Sequence, residues 1–210
     1  DGKILHFNGT EWNAVDSENF PPMQGIWGLG PDEIYAAGRL GKITRYNGQE
    51  WKFMSSGTNN DIAGIWGCAE ATYAIGVDGL VLRKVGDQWE RLTYSSNAEL
   101  YGIYGFGPEK IYFCGSDGVI VHFNGAEFTE MPTTTQEFFL DIWGPNEDMV
   151  FAVGDLGMIM YLDGDQWTRI EANTEDYLTA IWGSSEDDIY AAGDNGLLLH
   201  WDGEDWKPID

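Results

Sequence analysis

Ile26-Trp27-Gly28-Leu29-Gly30-Pro31-Asp32-Glu33-Ile34-Tyr35-Ala36-Ala37-Gly38 is the stretch on which the reading of this chain turns. Its first three residues return at Ile65-Trp66-Gly67, Ile142-Trp143-Gly144 and Ile181-Trp182-Gly183, with Ile103-Tyr104-Gly105 between them, an interval of 38 or 39 residues. A unit that short cannot bury its own apolar face. Several copies must therefore pack against one another in an array, a solenoid or a ring.

Aligned copies show four short segments with β chemistry. The first ends in the triplet. The second is Glu33-Ile34-Tyr35-Ala36-Ala37-Gly38, matched by Thr72–Gly76, Lys110–Gly115, Met149–Gly154 and Asp188–Gly193, all short runs rich in β-branched and aromatic residues and closed by glycine. A Gly-x-x-Gly turn follows at 38–41, 76–79, 115–118, 154–157 and 193–196, because glycine takes positive φ without penalty. The third strand then ends in a hairpin signal, Asn8-Gly9, Asn47-Gly48, Asn124-Gly125, Asp163-Gly164 or Asp202-Gly203. Three residues beyond each turn glycine stands the fourth-strand aromatic, Trp12, Trp51, Trp89, Phe128, Trp167 or Trp206. No segment has helical periodicity.

Four antiparallel strands in about 40 residues, repeated, predict an all-β β-propeller of four-stranded blades. The recurrent tryptophans supply the filling between sheets, worth several kcal/mol each at about 25 cal/mol per Å² as an upper bound. A single domain over 1–210 is expected, with a half blade at 1–20 and repeats near 21–59, 60–97, 98–136, 137–175 and 176–210. The third-and-fourth-strand hairpin occurs six times and the first-and-second-strand pair five times, which points to six blades, with five as the alternative. The lone pair is expected to be completed beyond one terminus.

Charge narrows the partners. Asp and Glu number 35 against 11 Lys and Arg, a formal charge of −24. A nucleic-acid site needs clustered cations, so DNA and RNA are excluded as partners. Such a surface repels anionic membranes and favours basic proteins or divalent cations, and it suits a secreted or extracytoplasmic protein. No apolar run has the length of a membrane span. Cys68 and Cys114 stand where other copies carry Leu29 and Ala37, so they read as small apolar fillers rather than a disulfide pair. The start at Asp1 reads as that of a processed or excised piece, a monomer or a module of a larger chain.

Residues with possible chemistry are dispersed. The third-strand column His6, Arg45, Arg83, His122, Tyr161 and His200 places one side chain per blade, so these groups cannot share a coordination shell. The acids Glu186, Asp187 and Asp188, the pair Asp163 and Asp165, and the pair Glu204 and Asp205 lack the spacing of a calcium loop. No Gly-x-Ser-x-Gly occurs, and the histidines have no evident Ser or Cys partner. No cofactor, metal or catalytic residue is expected. Asp141, an exception in a column otherwise filled by Gly25, Gly64, Gly102 and Ala180, is the one acid that suggests a hydrolase.

The connectors are more telling. From each fourth-strand aromatic to the next triplet isoleucine is always fourteen residues, while the sequence between varies. Constant length with changing chemistry describes loops presented on a rigid platform. The expected binding residues are Asn60, Asp61, Glu99, Glu137, Phe138, Asp176 and Tyr177 in the connectors, joined by Arg39, Asp78, Asp117, Asp155 and Asp194 from the Gly-x-x-Gly turns, which should emerge at the same face. This makes an acidic rim with scattered aromatics.

The phrases Ile-Trp-Gly-x-x-x-x-Asp-x-Ile-Tyr-Ala-Ala-Gly and Gly-x-Leu-x-His-Trp-Asp-Gly-x-x-Trp resemble the repeats of the bacterial BNR/Asp-box-like, photosystem-assembly-factor-like propeller superfamily over essentially the whole chain. Asp202-Gly203-Glu204-Asp205-Trp206 is a shortened relative of the Asp-box. The resemblance implies the propeller fold and leaves activity open, since that group includes hydrolases, lectin-like binders and assembly scaffolds. A sialidase would need three convergent arginines, whereas Arg45 and Arg83 fall on different blades. The function expected is a non-enzymatic scaffold that recognises a protein partner through its loop face. The alternatives are a multivalent glycan-binding lectin and, behind it, a glycoside hydrolase. Identical sugar pockets would require the same loop residues in every blade, and the columns differ.

Overall fold

The computed structural model describes residues 2–15 and 20–209. Among these residues the regular structure is strand and short turn, with no α-helix and so none long and apolar enough to cross a membrane. The chain forms two compact units, Asp1–Thr93 and Tyr94–Asp210.

The first unit holds three sheets. The hairpin of β1 (Leu5–Phe7) and β2 (Trp12–Ala14) stands as a two-stranded sheet. The next is β3 (Met23–Gly30), β4 (Glu33–Gly38), β5 (Ile43–Tyr46) and β6 (Trp51–Met54), and the third is β7 (Ile62–Gly67), β8 (Thr72–Gly76), β9 (Leu80–Val85) and β10 (Gln88–Arg91). The second unit holds three sheets of four: β11 (Leu100–Gly107) to β14 (Phe128–Met131) through β12 (Lys110–Gly115) and β13 (Ile120–Phe123); β15 (Phe139–Asn146), β16 (Met149–Gly154), β17 (Ile159–Asp163) and β18 (Gln166–Ile170); β19 (Leu178–Ser185), β20 (Asp188–Gly193), β21 (Leu198–Trp201) and β22 (Trp206–Pro208). Every neighbouring pair is antiparallel and consecutive in sequence, the blade of a propeller.

The triplet works between sheets. In the first unit the Trp27 indole N–H donates to the Gly67 carbonyl at 2.8 Å, so the tryptophan of one triplet lies on the glycine of the next. The second unit repeats the arrangement: a Cβ on Gly183 would sit 2.9 Å from Cη2 of Trp143, and Tyr104, Trp143 and Trp182 follow one another with ring centroids 6.1 and 6.3 Å apart. The fourth-strand tryptophan has its own partner, the second-strand aromatic of the preceding sheet. Tyr35 with Trp89, Tyr112 with Trp167 and Phe151 with Trp206 all meet edge to face at interplanar angles of 89, 84 and 89°, the favoured geometry for aromatic quadrupoles. Around these pairs lie the buried aliphatics, such as Ile43, Ile62, Leu80 and Leu82 in the first unit and Ile142, Ile159, Ile181 and Ile189 in the second.

In the five four-stranded sheets the third-strand column stands opposite a second-strand aromatic (Arg45 and Tyr35, Arg83 and Tyr73, His122 and Tyr112, Tyr161 and Phe151, His200 and Tyr190), while His6, in the two-stranded sheet, pairs with Asn13. His122 lies 5.1 Å from the Tyr112 ring and His200 4.6 Å from Tyr190, and the Arg45 guanidinium lies 5.9 Å from the Tyr35 ring centroid. Four of the five Asn-Gly and Asp-Gly turns are closed by their own side chains. Asn8, Asn47, Asn124 and Asp202 each accept from the backbone N–H groups two and three residues on, the Asx pattern that lets a short polar residue stand in for a backbone acceptor. This is the structural task of the Asp-box-like stretch.

Candidate functional site

Connector and turn meet at one end of every sheet that contains both. The N–H of the residue after the first turn glycine donates to the carbonyl four places before the triplet isoleucine: Arg39 to Pro22 at 3.1 Å, Val77 to Asp61 at 3.1 Å, Ser116 to Glu99 at 2.9 Å, Asp155 to Phe138 at 2.9 Å and Asp194 to Tyr177 at 2.9 Å. That same carbonyl explains the first glycine, since a Cβ on Gly38, Gly76, Gly115, Gly154 or Gly193 would fall 1.9–2.2 Å from it. The first glycine is thus required by close approach, with its φ extended where given, at −173° for Gly38 and −174° for Gly115.

Positive φ belongs to the third and fourth residues of the turn, which corrects the assignment of the whole turn to glycine. Leu40, Asp78, Asp117, Leu156 and Asn195 have φ of 53–58°, each followed by a glycine at 59–76°, and the turn is closed by bonds such as Met158 N–H to the Asp155 carbonyl at 2.9 Å. Two consecutive left-handed residues make a type I′ turn, matched to the twist of the flanking strands. Asp and Asn tolerate that conformation, whereas leucine pays for its Cβ. The expected turn residues divide accordingly. Asp78 and Asp117 occupy the left-handed position, while Arg39, Asp155 and Asp194 precede it.

The connectors vary less than the sequence reading holds. Seven places before the triplet isoleucine stand Thr58, Ser96, Thr135 and Thr174, whose hydroxyls accept from the N–H groups of Asn60, Ala98, Glu137 and Asp176 at 3.0–3.1 Å. The carbonyls of Thr58, Thr135 and Thr174 lie 2.1 Å from where a Cβ would stand on the second turn glycines, Gly41, Gly118 and Gly157. This hydroxyl column fixes the loops, and its regular spacing was the signal for it. The fifth member, Asn19, lies outside the described residues.

Several expected binding acids and amides are spent within the rim. The Asp61 carboxylate accepts from the Leu40 N–H at 2.8 Å, the Asn60 amide donates to Asp78 at 3.0 Å, and the Asn195 amide donates to Asp176 at 2.9 Å. Glu99 accepts from the Tyr101 hydroxyl at 2.7 Å, and Asp117 from the Ser116 hydroxyl at 3.1 Å. Arg39 and Asp194 are exposed turn residues.

Phe138, Leu156 and Tyr177 are the large apolar side chains that the second unit exposes at this end, 39, 48 and 45% exposed. Their backbones are joined through Phe138 and Asp155, Gly157 and Asp176 (2.9 Å), and Tyr177 and Asp194. Tyr101 stands beside Phe138 with ring centroids 6.2 Å apart. Burial, then the bond to Glu99, then the charges of Glu99, Asp117 and Asp155 push the Tyr101 phenol up. Partial burial followed by the charge of Glu137 raises the Asp155 carboxyl. Sequence reasoning passed over Leu156 and Tyr101, the first because it sat among turn residues and the second because it sat inside a strand.

Asp141, the acid of the hydrolase alternative, accepts from the N–H of Ile142 and from that of Ile181 in the next sheet, each at 2.9 Å. Both oxygens are engaged by backbone. Desolvation pushes this carboxyl up to about 6 against those two bonds. Among the described residues no three of His, Cys, Asp and Glu are grouped to hold a metal.

No protein-family model matches the sequence, and comparison with curated proteins gives no match. Solved structures do match in fold. YCF48 bound to D1 peptide is similar with a TM-score of 0.74 and 16% identity, covering 95% of this chain and 72% of that one. The WD40 β-propeller domain of Doa1 gives a TM-score of 0.72 and 10% identity over 89% of this chain and 67% of that one. The RRP9 WD40 repeats give 0.72 and 12% over 89% and 62%. At these identities the likeness is one of fold, and the fold is a β-propeller.

Proposed function

We propose that the chain is a non-enzymatic propeller module that recognises a protein partner through the end of its sheets where connectors and turns meet. The observation that carries this reading is Leu156. It holds a left-handed φ of 53° and is half exposed, at a position where Asp78, Asp117 and Asn195 satisfy the same turn without strain or apolar exposure. A side chain kept at two costs is one with a task outside the fold. Phe138 and Tyr177 flank it on loops fixed by backbone bonds, so the surface is organised before a partner arrives. YCF48, similar in fold, is seen with a D1 peptide, which supports a peptide-binding role for this architecture.

The differing connector columns speak against repeated sugar pockets, and the engaged oxygens of Asp141 speak against general acid catalysis. The Asp-box-like resemblance and the unbroken repeat interval through Thr93 support counting 1–210 as one propeller of six blades, either a monomer or a module of a larger chain. The strongly acidic surface supports a place outside the cytoplasm, which cell fractionation with an epitope tag would check.

Selection of peptides from a random display library on the immobilised chain tests the function. Selected peptides should lose binding to Phe138→Ala/Tyr177→Ala and keep it on Trp182→Ala. Equal binding to both variants, or a failure to select peptides while a glycan array gives strong hits, would remove this reading.

A further inference from the structure

Three large apolar side chains define a surface at the rim of the second unit, and the charges around it restrict what can cover that surface. Phe138, Leu156 and Tyr177 are exposed, and Tyr101 lies beside Phe138. Glu99 accepts from the Tyr101 hydroxyl at 2.7 Å, Asp117 is tied to the Glu99 N–H through the Ser116 hydroxyl (3.1 Å each), the Asp155 N–H donates to the Phe138 carbonyl at 2.9 Å, and Glu137 is the chain neighbour of Phe138, so four acidic residues border this aromatic pair. The unit has few cations to offer them. Residues 94–210 contain three, Lys110, Arg169 and Lys207. Each already has an acidic partner: Lys110 pairs with Glu147 at 3.0 Å, Lys207 with Asp202, and Arg169, in a hollow that Glu137 and Leu156 also line, with Glu171 at 3.4 Å.

The rim therefore joins an exposed aromatic surface to an excess of negative charge. A small anion or an acidic segment would meet repulsion, and a purely apolar segment would leave the carboxylates desolvated beside it without partners. A cationic side chain satisfies both features at once. Its charged head lies over an aromatic face and within reach of carboxylates, and its aliphatic stem covers apolar surface. Arginine adds a planar guanidinium that stacks on rings and pairs with carboxylates in bidentate fashion.

We infer that the occupant of this surface is a basic segment of the partner protein, one of whose lysine or arginine side chains lies over the Tyr101–Phe138 pair within reach of Glu99, Asp117, Glu137 and Asp155. The inference rests on the loop-face reading above and makes it specific as to partner chemistry. It also assigns Tyr101 and Leu156 to the surface, the first as one wall of the cation seat and the second as the apolar floor beside it.

Short fluorescent peptides rich in arginine or lysine test it by anisotropy titration against the whole chain, with citrulline and norleucine replacing the cations in matched controls. The basic peptides should bind and weaken steeply as salt rises toward physiological strength, where charges more than about 8 Å apart are screened. The citrulline and norleucine peptides should show little binding. Phe138→Ala should weaken binding about threefold to fivefold, the range of an exposed cation–π contact. Glu137→Gln/Asp155→Asn should weaken it by about threefold to tenfold through two exposed charge pairs, while Glu186→Gln/Asp187→Asn, at the opposite end of the sheets, should leave it within twofold.

Equal binding of charged and citrulline peptides, or equal weakening by the two double variants, would overturn the inference. The peptide controls need no change in the protein and so hold even if a rim variant folds poorly. Its failure is distinguishable from failure of the functional reading: display-selected peptides that depend on Phe138 and Tyr177 but lack Lys and Arg would sink the cation seat alone.

Discussion

The carboxylate of Asp141 bridges two sheets, one oxygen on the N–H of its own neighbour Ile142 and the other on the N–H of Ile181, both at 2.9 Å. Other copies place Gly25, Gly64, Gly102 or Ala180 in this column, and the space explains the choice: a Cβ on Gly102 would come 2.9 Å from the Asp141 Cα. The carboxyl is pushed up to about 6, above its value of about 3.9 in an unfolded chain. The folded state therefore binds this proton more tightly. Its contribution to stability is full below about pH 4 and falls as pH rises toward 6, then stays level. The difference corresponds to about 2–3 kcal/mol. Melting temperatures of the wild type and Asp141→Ala from acid to neutral pH should differ in slope across that window, with the slope due to this group absent in the variant. Parallel curves would refute the assignment.

Leu156→Asn should stabilise the fold, because asparagine accepts the left-handed conformation that leucine holds under strain. The gain expected is about 0.5–1 kcal/mol, measured by urea denaturation. Leu40→Asn, at φ 56° in the first unit, should gain a similar amount. The Leu156 change should also weaken the display-selected peptides, a trade of stability against binding.

Gly183→Ala and Gly28→Ala alter the same position of the triplet and should behave differently. At Gly183 the added methyl meets the Asp188 carbonyl at 2.6 Å and Trp143 at 2.9 Å, whereas at Gly28 its nearest neighbour is Cγ1 of Ile34 at 3.6 Å. Overpacking against backbone and a buried indole should cost about 1–3 kcal/mol. The Gly28 variant should melt within a degree or two of wild type by calorimetry.

Trp206→Ala should cost about 3–5 kcal/mol, the range for truncating a buried tryptophan, since this indole is 5% exposed and meets Phe151 edge on. Trp12 holds the same place in β2 but is 67% exposed. Its truncation should shift the urea midpoint little.

Strand positions were legible in the sequence because glycine and aromatic residues recur at fixed offsets, and the periodicity of β chemistry needs no tertiary information. The blade-to-blade use of the triplet was legible only in part. Its tryptophan announced packing, but the reason for Gly183 lies in Trp143, forty residues upstream. The left-handed residues were misassigned to glycine, since Asp78, Asp117 and Asn195 are polar turn residues whatever their φ, and Leu40 and Leu156 give no local signal at all. Acidic connector residues read alike in one dimension. Only contacts separate Asp61, whose carboxylate is held by the Leu40 N–H, from Asp176, which accepts from the Asn195 amide.

The tie between connector and turn runs from a main-chain amide to a main-chain carbonyl in all five sheets. Proline itself can serve, as Pro22 does, because it lacks the donor but keeps the acceptor. Mutation at that position therefore leaves this tie intact, since Pro22, Asp61, Glu99, Phe138 and Tyr177 all supply the same main-chain carbonyl. Recognition in this architecture can diversify one loop at a time, without compensating changes in the tryptophans packed between neighbouring sheets of each unit, and the rim is a natural place to graft new specificities.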